Sequence, residues 1–105
     1  MTARRLFPRI HRSVPLSYVV DGVAVDGVTE NLSRRGMLVR GSRLPKPGDG
    51  VEIRIELPSG RQTVVAGRVT YVAVDAFAIE LTAQNEDYAA FLGLLVSAKV
   101  RKETG

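Results

Sequence analysis

An all-β domain, a small antiparallel barrel closed by one C-terminal helix, is what this chain of 105 residues predicts. Two observations carry that expectation. Between Val14 and Leu81 apolar and polar residues alternate in short runs separated by Gly, Pro and Asp, the period-two pattern of half-buried strands. Beyond Asn85 the period lengthens, with Tyr88, Phe91, Leu92, Leu95 and Val96 at i, i+3, i+4, i+7 and i+8, one stripe of an amphipathic helix. The length suits one domain with one modest core.

The elements follow in order. Residues 1–12 form a basic arm; the Phe7-Pro8 step disfavours helix there, because proline pushes the preceding residue towards extended conformations. The domain proper is expected over 13–100, with a frayed tail at 101–105. Val14, Leu16, Tyr18 and Val20 share one face of the first strand, and Asp21-Gly22 supplies a hairpin turn. A second strand runs from about Ala24 to Glu30 and ends in a loop over Asn31–Gly36, after which Met37–Arg40 returns. The turn-rich GSRLPKPGDG stretch lacks the Gly-Lys-Ser/Thr ending of a phosphate-binding P-loop. VEIRIEL, residues 51–57, points Val51, Ile53, Ile55 and Leu57 inward. A tight PSG turn leads into RQTVVAGRVTYVAV, where Gly67 is expected to mark a bulge. Asp75 ends that strand, and Phe77, Ile79 and Leu81 alternate in the sixth. Asn85 is the expected N-cap of the helix, with Glu86 and Asp87 at the positive end of its dipole.

Composition narrows the function. No cysteine is present, so a disulfide scaffold and a Cys-based zinc site are excluded. With His11 the single histidine, a two-His metal site is excluded as well, and no catalytic cofactor is expected. A Ser–His–Asp hydrolase would need His11 as its base, among arginines that do not orient it and without a nucleophile elbow. The chain therefore reads as a binding protein rather than an enzyme. Neither a secretory signal nor an apolar run long enough for a membrane span is evident, which makes a cytoplasmic location the expectation. Net charge is +4, carried overwhelmingly by arginine and concentrated at Arg4, Arg5, Arg9 and Arg12 and again at Arg34, Arg35, Arg40 and Arg43. Arginine suits two-pronged contact with phosphate or with a guanine edge, so an anionic partner is implied.

Two short motifs sharpen this. Arg5-Leu6-Phe7-Pro8-Arg9 has the form R-x-x-x-R and precedes the first strand. Asn31-Leu32-Ser33-Arg34-Arg35-Gly36 has the form [D/N]-x-S-x-x-G and lies between the second and third. In that order and context, with the VEIRIEL and FAIEL strands and the closing helix, the chain resembles the PilZ domain, a bacterial family of cyclic di-GMP receptors. The resemblance covers almost the whole chain and implies a six-stranded antiparallel β-barrel with a C-terminal helix. One departure is Asp75-Ala76-Phe77, where the family often has a glycine near the start of the last strand. It implies cyclic di-GMP as the ligand, with Arg5 and Arg9 on its guanine edges and phosphates and their arm wrapping over it. Asn31 and Ser33 would read the second guanine, and Gly36 would turn the backbone with φ > 0. Asn31 and Ser33 can alternatively make turn bonds to their own backbone. Arg34 and Arg35 contact phosphate or face solvent. An arginine at Arg4 resembles members suited to an intercalated dimer of the ligand, and a downstream protein target is implied. The alternative from another class is a basic small barrel that binds single-stranded nucleic acid. Such sites need aromatic stacking platforms, and here most of the aromatics fall at core-phase positions.

Overall fold

In the computed structural model, which describes residues 9–83 and 85–104, with side chains described up to Val96, six strands close into an antiparallel barrel followed by one helix. In chain order these are β1 (Pro15–Val20), β2 (Val23–Leu32), β3 (Gly36–Gly41), β4 (Gly50–Glu56), β5 (Gln62–Val72), β6 (Ala76–Leu81) and α1 (Glu86–Thr104). Around the barrel the order is β1-β2-β3-β6-β5-β4, and β1 against β4 closes the ring with Leu16 opposite Ile55. Closure leaves no sheet edge to template aggregation.

The alternation expected from the sequence is what fills the interior. Tyr18, Val39, Ile53, Ile55, Val69 and Phe77 are all buried, each on a different strand or register level. The Tyr18 and Phe77 rings meet edge-to-face with centroids 5.0 Å apart. Tyr18 carries a hydroxyl into this core and disposes of it by donating to the Arg43 carbonyl at 2.5 Å. The β1–β2 hairpin turns through Asp21 and Gly22, both at positive φ, as a two-residue turn between right-twisted strands requires.

Several boundaries differ from the sequence expectation, and each has a physical reason. β2 does not stop at Glu30. It continues through Asn31 and Leu32, and the pairing with β3 shifts by one residue between Thr29 and Asn31. That bulge resets the side-chain phase: Val25 and Thr29 face inward before it, Leu32 after it. In β5 the register shift lies between Val69 and Tyr71 rather than at Gly67. Gly67 answers a different demand, since a Cβ there would lie 2.9 Å from the Glu80 carbonyl oxygen. β5 itself stops at Val72, before Asp75. Leu57 is half-buried against the core rather than fully inside it.

The helix is capped as expected, with the Tyr88 amide donating to Asn85 Oδ1 at 2.9 Å. Asn85 also donates through Nδ2 to the Val64 carbonyl at 2.7 Å, which fixes the helix start on β5. Tyr88, Phe91, Leu92 and Leu95 pack on the core. Val96 does not; it is 47% exposed, one step off the inward stripe. The helix runs on to Thr104, past residue 100 where the sequence expectation ended it.

Candidate functional site

Residues 9–14, just before β1, are tied to the barrel. Ile10 pairs with Leu32, its amide donating to the Leu32 carbonyl at 2.7 Å and its carbonyl accepting the Leu32 amide at 2.9 Å. Three residues before Leu32 in β2, Thr29 acts as a clamp. Its hydroxyl donates to the Arg12 carbonyl at 2.5 Å and accepts the Val14 amide at 2.9 Å, and its own amide donates to the Val14 carbonyl at 3.0 Å. Residues 9–14 are thereby laid antiparallel along the bulged half of β2. Because side chains alternate along an extended chain, Ile10 and Leu32 share one side and Arg9 falls on the other, beside Asn31.

The bulge completes this. By turning Leu32 into the core it aims Asn31, its neighbour, outward. Arg9 then donates through Nη1 to Asn31 Oδ1 at 2.5 Å. Two side chains from motifs 22 positions apart are in direct contact. Since Oδ1 is the acceptor in that bond, the two N–H donors of the Asn31 amide are left on its other limb.

Ser33, Arg34, Arg35 and Gly36 form a short loop closed by the Ser33 amide on the Gly36 carbonyl at 2.8 Å. Ser33 is only 5% exposed. Its hydroxyl donates to the Gly36 carbonyl and accepts the Arg35 amide, both at 3.3 Å, so the turn-bond role weighed above is the one its side chain plays here. Asn31 does not play that role; its carbonyl oxygen takes Arg9. Two remote groups hold the loop from below. The Leu81 amide donates to the Arg35 carbonyl at 2.7 Å, and the Tyr88 hydroxyl donates to the Ser33 carbonyl at 2.8 Å. Tyr88 is buried, and loss of solvent raises its hydroxyl pKa well above the ordinary value. It remains a hydrogen-bond donor at any physiological pH.

Gly36 departs from its expected role. The glycines at positive φ among the described residues are Gly22, Gly48 and Gly60, so Gly36 is not a left-handed turn residue. It opens β3 opposite Glu80, and a Cβ there would fall 2.2 Å from the Ile79 carbonyl oxygen. The glycine is demanded by close approach of backbone, not by turn geometry. Arg40, counted from sequence within the second basic group, is engaged: it bridges Glu30 and Asp75 on the outer surface. Hydrogen bonding to Glu30, with the charge of Asp75, raises its pKa further. That ion triplet was invisible in the sequence, because it joins β2, β3 and the β5–β6 turn. Arg4 and Arg5 lie outside the described residues.

Comparison with known proteins now fits onto this geometry. The family model for the PilZ domain matches residues 3–97, nearly the whole chain. The chain belongs to the PilZ domain family. The motifs that carried the resemblance are those brought together by the Arg9–Asn31 contact and the Ser33–Gly36 loop. Among solved structures, this PilZ domain is similar to the Bacillus subtilis inhibitor of motility (MotI/DgrA), with a TM-score of 0.79 and 18% identity over 96% of this chain. It spans 53% of that protein's chain, and at such identity the likeness is one of fold. It is also similar to the PilZ domain of CeSA from a cellulose-synthesising bacterium, with a TM-score of 0.65 and 27% identity over 83% of this chain and 97% of that one. The comparison with curated proteins finds no match. Among the described residues no helix is long and apolar enough to cross a membrane.

Proposed function

We propose that this PilZ domain is a cyclic di-GMP receptor module whose N-terminal arginines close over the ligand beside the Ser33–Gly36 loop. The observation that carries the reading is the Arg9–Asn31 contact, which joins the arm motif to the loop motif. A two-phosphate, two-guanine ligand presents acceptor edges at O6 and N7 and diffuse negative charge. Arginine forks answer both. Arg5 stands four residues before Arg9 in sequence, a reach of up to about 14 Å of chain. Asn31, with its carbonyl oxygen engaged, offers amide donors to the ligand. Ser33 and Gly36 shape the loop, and Arg34 and Arg35, carried at its tip, supply phosphate contacts.

The packing of the aromatics supports a receptor over a single-strand binder. Tyr18, Phe77, Tyr88 and Phe91 are buried, and among the described aromatics Tyr71 alone is exposed, at 53%. One ring does not make a stacking platform for successive bases. The role fits a non-enzymatic cytoplasmic sensor in a bacterium that passes ligand occupancy to a protein target.

Calorimetric titration with cyclic di-GMP, with GMP and single-stranded DNA as controls, tests the reading. Specific binding of the cyclic dinucleotide is expected, weakened by Arg5→Ala or Arg9→Ala by about 1.5–3 kcal/mol each, roughly 10- to 150-fold. Wild-type affinity in both variants would remove the arm from the site. The stoichiometry expected is two ligands per chain as an intercalated dimer. Gathering four phosphate charges needs an added cation, which Arg4 supplies. Arg4→Leu should then move the stoichiometry towards one.

A further inference from the structure

Beside the loop, Ile10, Arg34, Ala89, Leu92, Gly93 and Val96 line an apolar groove of about 350 Å³ between the arm and the helix. We infer that this groove is a docking slot for Phe7 of the chain's own arm, anchoring the segment that carries the two ligand-facing arginines. Three features of the groove lead to this. Ala89, Leu92, Gly93 and Val96 stand at i, i+3, i+4 and i+7, a second stripe alongside the one that packs on the barrel. The helix is thus apolar over a wider arc than the core covers, and Val96 is exposed for that reason. Next, Gly93 sits inside a helix, where glycine is disfavoured relative to alanine, yet a Cβ there would meet nothing within 4 Å. Nothing described in the fold requires a glycine at that position, and the open space above it is room for a ring.

The third feature identifies the occupant. One wall of the groove is Ile10, itself part of the arm, pinned by its pairing with Leu32 and packed against the core. The chain leading into Ile10 reads Leu6-Phe7-Pro8-Arg9. Phe7 lies three residues upstream, within about 10 Å of extended chain, and the slot runs along about two helical turns, from Ala89 to Val96. Pro8, between Phe7 and Arg9, has no amide with which to continue the pairing of Ile10 with Leu32. The aromatic residue between the two arginines of R-x-x-x-R then acts as a hydrophobic pivot. It spares the ligand part of the ordering cost of the arm, since a pre-anchored segment loses less freedom on binding.

The slot is tested by disulfide trapping, for which a chain without cysteine is a clean background. In the full chain, Phe7→Cys paired with Gly93→Cys should form an intrachain disulfide under mild oxidation. It should form much faster than Phe7→Cys paired with Val74→Cys, since Val74 is exposed at the opposite end of the barrel. Trapping no faster than in that control overturns the docking. A predominance of interchain dimers through Gly93→Cys alone also overturns it, because a second copy would then cover the groove. The inference rests on the receptor reading only for its second arm. Gly93→Leu, which fills the slot, should weaken cyclic di-GMP at least fivefold while the melting temperature stays the same or rises, since leucine favours helix over glycine, and unchanged affinity would overturn the pivot role. Rapid trapping in a chain that binds no cyclic di-GMP would sink the ligand and leave the slot. Ligand binding without trapping would do the reverse.

Discussion

The two ends of β2 are both hairpin connections, and they are built on opposite principles. At Asp21-Gly22 the turn is made by its own residues: both adopt positive φ, and a Cβ on Gly22 would touch nothing within 4 Å. At Ser33–Gly36 no residue has positive φ. The loop is held from outside, by Tyr88 on the Ser33 carbonyl, by Leu81 on the Arg35 carbonyl, and by backbone packed so close to Gly36 that no side chain fits. A turn that only reverses the chain can be specified locally. The Ser33–Gly36 loop is fixed by the rest of the fold, and its shape is shared with the helix that supports it.

The sharpest way to break this contrast is Gly36→Ala. Its Cβ would sit 2.2 Å from the Ile79 carbonyl oxygen, and that neighbour is ladder backbone rather than a flexible tip. The expected loss of stability is at the upper end of overpacking effects, about 3 kcal/mol. By denaturant titration the midpoint should fall with an unchanged slope. A loss below 1 kcal/mol would mean β3 and β6 can part at that point, and the loop would not be held as described.

Next in size is the hydroxyl of Tyr88. Tyr88→Phe keeps the ring in the core and strands the Ser33 carbonyl, at a cost of about 1–2 kcal/mol. The same residue gives the protein an alkaline limit. Burial raises the Tyr88 pKa above its ordinary 10.0, and burial raises that of Tyr18 against a smaller lowering by its bond to Arg43. Above pH 10 the unfolded chain gives up phenolic protons that the folded chain retains, so the unfolded state binds fewer protons and stability falls as pH rises. Each tyrosine held protonated contributes about 1.4 kcal/mol per pH unit to that fall. Stability measured from pH 9 to 11 should bend downward in the wild type, and less steeply in Tyr88→Phe. Identical curves would show that Tyr88 titrates freely in the folded state.

How far all this was legible in the sequence depends on the range of the forces involved. Six strands and a capped helix were legible because alternation, turn residues and the Asn85 cap act over a few positions. The pairing of Arg9 with Asn31 was legible only through the two motifs, since neither arginine spacing nor an isolated Asn says where the other will be. The bulge after Thr29 was not legible: Glu30 is an ordinary strand residue, and the extra position exists because Leu32 must reach the core. Gly36 was recognised as obligatory but for the wrong cause, because Ile79 is distant in sequence and only the register brings its carbonyl there. Val96 was assigned to the core because its spacing fits. The helix meets the barrel over a narrower arc than its apolar face offers.

The smallest effect is the most direct control on the comparison. Gly22→Ala makes the same chemical change as Gly36→Ala at the other end of the same strand. At φ 78 an alanine is strained, by about 1–2 kcal/mol for a left-handed residue. Part of this is offset, because replacing glycine restricts the unfolded chain by about 0.4–1 kcal/mol. With no atom within 4 Å to clash against, the net loss should be about 1 kcal/mol, a third of that at Gly36. Affinity for cyclic di-GMP should not change, since the ten residues of β2 separate this turn from the loop. If Gly22→Ala proved as damaging as Gly36→Ala, backbone dihedral and not backbone proximity would govern both turns, and the distinction between a locally made turn and an externally held loop would fall.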